Sequence, residues 1–301
     1  MKVTKLMWKM VKAYCIRLNA KRRKGFPSFD LYEHRFDVNY AGDGNDKHCL
    51  DIYYAKENRK NVCVVDIHGG AYIFGDRKDN YPFGTVFLEE GYDFVSIDYV
   101  PNDGSRGIEN LYGDVVNAID FLTAHLEGFG LTSDRFVLTG DSAGGHLALL
   151  LAEACCSKEV EEGTGFLISS FKPEAVLLNC PVYNYTHIAG KENATKGANT
   201  FLYGPRFEDY DFLDKYSPHA HIDALSIPLF VSTCNNDFIR SEALRLQNDL
   251  EKRPFIASEF LDLQSENKKV AHVHNVTDLQ LEESKVVNDA MLRFLQKHLS
   301  V

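Results

Sequence analysis

Along the chain, short runs of β-branched and aromatic residues alternate with longer segments in which apolar residues recur every three or four positions. Short apolar runs are typical of buried strands, and the longer spacing is typical of amphipathic helices. The runs predict strands at residues 62–67, 93–99, 135–139, 175–179, 229–233 and 258–263. The spaced segments predict helices at residues 110–126, 143–156, 241–252 and 282–299. This order predicts βα units on a mostly parallel sheet, and therefore an α/β fold.

Three other segments depart from this pattern. Residues 36–40 and 50–54 alternate polar and apolar positions, which predicts an antiparallel pair at the edge of the sheet. Residues from about 183 to 226 have weak periodicity and many Asn, Gly, Tyr, His and Pro, which predicts an insertion lying over one end of the sheet. We therefore expect one domain over residues 31–301, preceded by a separate N-terminal segment.

That N-terminal segment, residues 1–30, is predicted to be a basic amphipathic helix. Residues 1–29 hold nine basic side chains and no acidic one, which leaves 24 basic and 43 acidic residues, a net charge of −19, in the rest. An apolar stripe at helical spacing is formed by Val3, Met7, Met10 or Val11, Tyr14 and Leu18. Such a helix fits two partners: the acidic body, which it would cover as part of a lid, or an anionic membrane surface, which residues 1–24 would contact. We favour the lid, because the body offers a nearby opposite charge.

Composition and charge exclude several classes of protein. A chain of 301 residues with 45% hydrophobic and 25% charged residues is neither disordered nor fibrous. Its net charge of −10 argues against a nucleic-acid partner. Seven cysteines without a Cys-x-x-Cys pair indicate reduced thiols, and Lys9 and Lys12 interrupt the only candidate signal sequence. We expect a cytoplasmic protein without a membrane-spanning segment.

The strongest chemical motif is the sequence Gly-Asp-Ser-Ala-Gly at residues 140–144. It follows a predicted strand and opens a predicted helix, which is the strand–turn–helix setting of a nucleophile elbow. Small residues at Gly140 and Gly144 allow strand and helix to approach closely. The helix N-terminus would place the Ala143 N–H and a positive dipole end beside a reacting carbonyl. Ser142 is therefore the candidate nucleophile.

Residues 68–72, His-Gly-Gly-Ala-Tyr, follow the predicted strand 62–67 and are suited to aim backbone N–H groups at a substrate oxygen. The alternative is a tight glycine turn without a catalytic role. For the acid we predict Asp237, just after strand 229–233, although it is also suited to cap the helix that follows. For the base, His272 and His274 are candidates, and we favour His272.

Two His-x-His pairs, at residues 272–274 and 219–221, raise the alternative of a metal site. No carboxylate or cysteine cluster accompanies them in the sequence, so we predict neither a metal nor a cofactor.

In this order, the motifs resemble the α/β-hydrolase fold. Within that fold they resemble esterases similar to hormone-sensitive lipase and the neighbouring group similar to bacterial feruloyl esterase and kynurenine formamidase. The resemblance covers roughly residues 60–275. The further short motifs that carry this resemblance are Ser96-Ile97-Asp98-Tyr99, Gly145-His146-Leu147-Ala148 and Ser217-Pro218. Two departures are Ala71 in place of a third glycine, and residues 100–104 in place of the Arg-Leu-Ala-Pro-Glu run of the lipase-like group.

The resemblance implies an eight-stranded, mostly parallel sheet flanked by helices, with a small lid from residues 1–30 and 183–226. It implies a Ser142–His272–Asp237 triad, with the N–H groups of Gly70, Ala71 and Ala143 as oxyanion donors and Gly69 as a further candidate. Predicted substrate contacts are His68, Gly69, Tyr72 and Tyr183.

The expected activity is hydrolysis of short-chain acyl esters through an acyl-enzyme, with a small-molecule ester as the partner. The alternatives are an aryl formamidase or amidase with the same triad, and a non-catalytic small-molecule receptor on the same fold.

Overall fold

The computed structural model describes residues 3–131, 135–190 and 195–299. Residues 1–2 of the predicted N-terminal helix, residues 191–194 of the predicted insertion and residues 300–301 lie outside the described residues. Within those bounds the chain forms one eight-stranded sheet in the order β1-β2-β4-β3-β5-β6-β7-β8. The strands are β1 Glu33–Asn39, β2 Cys49–Tyr54, β3 Cys63–Ile67, β4 Asp93–Ile97, β5 Phe136–Asp141, β6 Pro173–Asn179, β7 Leu229–Cys234 and β8 Ser258–Leu263.

β1, β2 and β4 pair antiparallel, and every pairing from β4 through β3 to β8 is parallel. All eight predicted strands are present, so the predicted fold class is confirmed.

Helices cover both faces of this sheet. The α-helices are α1 Lys5–Arg22, α2 Tyr81–Glu89, α3 Ile108–Ala124, α4 Leu126–Phe129, α5 Ala143–Cys156, α6 Lys158–Thr164, α7 Tyr185–Ala189, α8 Lys196–Tyr203, α9 Tyr210–Asp214, α10 Arg240–Glu251, α11 His274–Thr277 and α12 Glu282–His298. Short 3₁₀ helices span Arg23–Gly25, Phe29–Leu31, Pro218–Ala220 and Ile222–Ala224.

Two hydrophobic layers hold the sheet, one on each face. α2 and α12 pack on one face, and α3, α5 and α10 pack on the other. Successive strand side chains point to opposite faces, so Val64 belongs to the first layer and Val65 to the second. Because both faces of the central strands are buried, these strands read as continuous apolar runs in the sequence.

The predicted antiparallel pair is present at the edge of the sheet, with β1 outermost. β2 pairs with β1 on one side and β4 on the other, and all its residues are buried. Its alternating pattern does not mark an exposed face, because the polar Asp51 lies inside the protein, where its carboxylate accepts a hydrogen bond from the Arg77 guanidinium at 2.9 Å. A paired buried charge produced the alternation expected of an exposed face.

The sequence pattern also missed helix α2. Its residues are buried almost all round, including Phe83 and Phe87, so no polar face marks the helical period. Gly84 lets it approach the sheet, because a Cβ there would lie 2.6 Å from the ring of Phe94.

The predicted insertion forms three short helices, α7 to α9, and two of the 3₁₀ helices. Phe201 and Leu202 of α8 pack with Ile73, which follows the predicted oxyanion loop, in a small hydrophobic cluster separate from the two main layers. Trp8 of α1 packs against the same cluster. The insertion and the N-terminal helix therefore meet beside that loop.

Helix α1 covers Lys5–Arg22 of the predicted helical segment 1–30, and it packs through a face other than the predicted apolar stripe. Of that stripe, Val3 is half-buried and Met7, Met10, Val11, Tyr14 and Leu18 are all exposed. The half-buried positions, one residue along, are Trp8, Lys12, Cys15 and Asn19. The body next to α1 presents the Asp79 carboxylate to Asn19 and an apolar cluster to Trp8. The packed face of the helix is therefore a mixed one, and it does not include the exposed residues of the predicted stripe.

Among the described helices, none combines the length and the apolarity needed to cross a bilayer.

Gly144→Ala is expected to lower the free energy of unfolding by about 2 kcal/mol or more, because the added Cβ would lie 1.9 Å from the Ile67 carbonyl oxygen. Gly163→Ala in α6 is the matched control, since nothing lies within 4 Å of its Cβ and alanine stabilises a helix interior by about 0.5–1 kcal/mol relative to glycine. Urea unfolding followed by circular dichroism measures both. Equal stability of the two variants would contradict the close approach of α5 and β3.

Candidate active site

Ser142 occupies a strained turn between β5 and α5. Its φ of 54° and ψ of −117° lie outside the regions that L-residues prefer, which costs about 1–3 kcal/mol. The turn is held on both sides of the serine: its N–H donates to the Asn179 carbonyl at 2.9 Å, and its carbonyl accepts from the Val182 N–H at 3.1 Å. Gly140 permits the sharp reversal, because a Cβ there would lie 2.6 Å from the Gly144 carbonyl carbon.

The structure brings Ser142, His272 and Asp237 together in one hydrogen-bonded chain. His272 Nε2 lies 2.9 Å from Ser142 Oγ, and His272 Nδ1 lies 2.6 Å from Asp237 Oδ1. A carboxylate can only accept, so Nδ1 carries the proton and Nε2 is left to accept from the serine hydroxyl. This is the arrangement in which an imidazole can remove the serine proton.

Asp237 is buried and its oxygens are fully engaged. Besides His272, Oδ1 accepts from the Ile239 N–H at 3.0 Å, and Oδ2 accepts from the Thr233 hydroxyl at 2.9 Å. Burial raises the pKa of Asp237, but the hydrogen bond and charge of His272 and the Ile239 N–H outweigh it, so its pKa lies below the usual value. The carboxylate therefore stays charged and holds the imidazole orientation.

His274 points away from the serine. It is buried, and its Nδ1 lies 2.9 Å from the Ser284 hydroxyl. The two histidines diverge because Val273 between them has a φ of 54°, which reverses the chain. Burial lowers the pKa of His274. Of the two candidates, His272 is the one beside Ser142.

One group of potential metal ligands was found among the described residues. Cys180 Sγ joins Asp237 and His272, with ligand atoms within 4.8 Å of one another. The Asp237–His272 hydrogen bond already engages two of them, and Sγ accepts from the Val273 N–H at 3.3 Å. These contacts are those expected of the hydrogen-bonded Asp237–His272 pair packed against the Cys180 thiol.

The loop after β3 has three consecutive residues at positive φ: Gly70 at 121°, Ala71 at 49° and Tyr72 at 65°. Gly70 is required, because a Cβ there would lie 1.9 Å from the Phe74 carbonyl oxygen. Among the described residues, the N–H groups of Gly70, Ala71 and Ala143 donate to no protein group. These three predicted donors are therefore not engaged within the described part of the protein.

His68 and Gly69, two of the predicted substrate contacts, make hydrogen bonds within the protein. The Gly69 N–H donates to Asp141 Oδ1 at 2.8 Å and is not free for a substrate. His68 is buried, with Nδ1 2.6 Å from the Gly69 carbonyl and Nε2 3.0 Å from Asp98 Oδ1. Both partners accept, so both ring nitrogens carry protons; although burial lowers the pKa of His68, Asp98 raises it above its usual value. Both residues therefore stabilise the loop through hydrogen bonds within the protein.

Tyr72 and Tyr183, which are also predicted to contact a substrate, are buried and make hydrogen bonds within the protein. The Tyr72 hydroxyl lies 3.1 Å from His146 Nδ1, and His146 Nε2 donates to the Tyr216 carbonyl at 2.6 Å. Tyr183 is buried and donates to Asp249 at 3.1 Å. Because Ser142 directly precedes α5 and His146 lies in its first turn, the Tyr72–His146 bond ties the loop after β3 to the helix that follows the serine.

A buried carboxyl pair lies behind this loop. Asn80 Nδ2 donates to Asp141 at 2.8 Å and to Asp66 at 3.1 Å, and Ser96 also donates to Asp66 at 3.1 Å. Burial and the neighbouring Asp141 carboxylate raise the pKa of Asp66 to about 7. Two carboxylates so close in the interior cannot both be charged cheaply, so Asp66 retains a proton.

Sequence reasoning missed two residues near the site. Phe238 is 79% exposed, and its ring centroid lies 4.4 Å from that of His272. Its position directly after Asp237 was the available signal. His146 also had a signal in the sequence. It lies four residues after Ser142, which is one helical turn along α5.

The fold and this site define the class: the chain is an α/β hydrolase with a serine at the nucleophile elbow. The family model BD-FAE matches residues 50–244, well over half of the chain. The chain belongs to the BD-FAE family.

Several known proteins are similar to it. Esterase LipQ of Mycobacterium tuberculosis is 28% identical over 204 residues, which cover 65% of this chain and 47% of LipQ. The probable carboxylic ester hydrolase LipM of the same organism is 26% identical over 213 residues, which cover 68% of this chain and 48% of LipM. The chain thus spans about half the length of these curated relatives. Esterase B of Lactobacillus rhamnosis shares the fold with a TM-score of 0.83 at 23% identity, over 96% of this chain and 93% of that one.

Tyr72→Phe is expected to lower kcat for p-nitrophenyl acetate by about three- to tenfold with little change in KM, because His146 Nδ1 loses its donor and the loop loses its tie to α5. Steady-state kinetics separate the two constants. Tyr53→Phe is the control, since the buried Tyr53 hydroxyl has no partner among the described residues. A change in KM alone would contradict a positioning role.

Asp66→Asn is expected to stabilise the protein increasingly as pH rises. In the wild type the unfolded chain ionises Asp66 from about pH 4, whereas the fold holds its proton until about pH 7, so this residue costs stability across that window. The difference in unfolding free energy between variant and wild type should grow by up to about 4 kcal/mol between pH 4 and pH 7 and then level off. Urea titrations at several pH values measure it, and parallel pH curves would contradict it.

Proposed function

We propose that this chain hydrolyses carboxylic esters of short-chain acids. The observation that carries the proposal is the hydrogen-bonded chain from Asp237 through His272 to Ser142, which stands beside the unengaged N–H groups of the loop after β3. The esterase names of the curated relatives LipQ and LipM support the same chemistry.

In the proposed mechanism, His272 Nε2 takes the proton of Ser142 as Oγ attacks the ester carbonyl carbon. Asp237 stays charged and stabilises the imidazolium that forms. The N–H groups of Gly70, Ala71 and Ala143 receive the oxyanion of the tetrahedral intermediate. His272 then gives its proton to the leaving alcohol, which leaves an acyl group on Ser142.

Deacylation repeats these steps with water. His272 removes a proton from the water molecule, whose oxygen attacks the acyl carbon, and then returns a proton to Ser142 Oγ as the acid leaves. These reaction steps require no cofactor, since every proton moves between the substrate, water and these three residues.

Two observations support a short acyl group. The rings of Tyr72 and Tyr185 lie 5.3 Å apart and those of Tyr72 and Tyr203 6.4 Å apart, so aromatic side chains fill volume next to the oxyanion loop that a long acyl chain would need. Esterase B, the structural neighbour, is described in complex with a tributyrin phosphonate, whose acyl groups are short.

We further propose that α1 and the insertion carrying α7 to α9 form the lid of a single hydrolase domain. The packing of Trp8, Phe201 and Leu202 around Ile73 supports this, because it joins both segments beside the oxyanion loop. A cytoplasmic location is proposed from the cysteines: all seven are free, and four of them are buried.

Ser142→Ala is expected to reduce kcat for p-nitrophenyl acetate by at least about 10⁴-fold, because the nucleophile is lost while the fold and the oxyanion donors remain. Ser170→Ala, an exposed serine outside the site, is the control. A fluorophosphonate probe should label the wild type and the control but not Ser142→Ala, as shown by mass spectrometry of the labelled peptide.

The same assays separate the alternatives. Failure of the folded wild type to react with the probe would favour a non-catalytic receptor. Activity on N-formylated aromatic amines far above that on simple esters would favour a formamidase. A series of p-nitrophenyl esters of increasing acyl length tests the short-chain proposal.

A further inference from the structure

Helix α1 carries a continuous row of exposed apolar side chains. Leu6, Met10 and Tyr14 are 67%, 65% and 66% exposed. The row is completed by Met7, Val11 and Leu18. Single exposed apolar residues are ordinary on a protein surface, but a row along three turns of one helix marks a surface that contacts something apolar.

Basic residues border this row. Arg17 and Lys21 follow Tyr14 and Leu18 by three residues and so lie on the same side of the helix. Both are exposed, as are Lys9 and Lys24, and within the described ranges none of the four has an acidic partner. Residues 1–29 contain no acidic side chain. The partner of this face is therefore apolar and negatively charged.

The opposite side of α1 is fixed to the body. The Thr195 N–H donates to the Val3 carbonyl at 2.8 Å, and Arg23 pairs with Asp76 at 3.1 Å and with Asp79 at 2.8 Å. Asn19 also donates to Asp79, at 2.7 Å. The apolar row cannot turn inward as a lid surface without breaking these contacts.

We propose that α1 docks this protein on an anionic lipid surface, with the apolar row at the boundary of the headgroups and acyl chains and the basic residues against the headgroups. Helices of this kind lie in the plane of the membrane surface at a depth of about 5–10 Å. A second copy of the chain is a poorer partner, because two such helices would bring their positive charges together. The acidic body, with a net charge of −19 outside residues 1–29, is repelled by the same surface, so α1 is the part that faces it.

The test is co-sedimentation of the full-length chain with vesicles. Vesicles of phosphatidylglycerol and phosphatidylcholine should bind the wild type, and binding should weaken at high salt or with phosphatidylcholine alone. The variant Leu6→Ser/Met10→Ser/Tyr14→Ser should lose at least about tenfold in partition coefficient, because three large apolar groups no longer enter the lipid. Arg17→Gln/Lys21→Gln should weaken binding to the anionic vesicles only.

Leu167→Ser/Phe255→Ser/Val286→Ser removes three exposed apolar side chains elsewhere and is the matched control. It should bind as the wild type does. Circular dichroism and urea unfolding check that each variant is folded, and neither depends on lipid or on ester hydrolysis.

Three outcomes would overturn the proposal: no binding of the wild type to anionic vesicles, equal binding to neutral ones, or an equal loss in the control variant. Sedimentation velocity tests the remaining partner, a second copy of the chain. If the wild type is a dimer that does not bind vesicles, and the α1 variant is a monomer, the apolar row is a dimer interface. None of these readouts depends on ester hydrolysis, so the proposed function stands or fails separately.

Discussion

The hydrogen bond from the Gly69 N–H to Asp141 connects the two halves of the candidate site. β3 and β5 are neighbouring parallel strands, so the loops that leave their carboxyl ends emerge side by side. One loop carries the proposed oxyanion donors Gly70 and Ala71 and the other carries the serine, and a 2.8 Å bond joins them. The Asp141 carboxyl is buried, and Asn80 supplies a second donor to it. A loop that changed its shape would leave this buried acceptor short of a partner, so the strained turn at Ser142 and the left-handed loop support each other.

The order of strands and motifs was enough to locate the core of the site. Ser142, Asp237 and His272 each follow a strand that a short apolar run had predicted, and parallel strands bring their carboxyl ends together whatever the remaining sequence is. The direction of side chains within a loop could not be obtained in this way. His68, Tyr72 and Tyr183 were expected to face a substrate, but in the structure their side chains are buried and bond to protein groups such as Asp98 and Asp249.

The same limit explains the outcomes for α1 and β2. Periodicity identifies which residues of an element share a face, but it does not say which face the neighbour prefers. Beside α1 the body offers Asp79 to Asn19 and an apolar cluster to Trp8, so the helix packs through the face that carries these two residues. In β2 the buried Asp51 is paired with Arg77, so a polar position lies in the interior. In both cases partners distant in sequence decided the orientation, and such partners leave no local pattern.

The proposed oxyanion donors are main-chain groups, held in place by three consecutive positive φ angles, at Gly70, Ala71 and Tyr72. Side-chain identity matters there only through the backbone conformation that it permits. Alanine therefore serves where a related chain uses glycine, provided that the surrounding contacts impose the left-handed turn. The direction of these N–H groups is therefore a property of the loop backbone, and a substitution that keeps the three left-handed conformations keeps that direction.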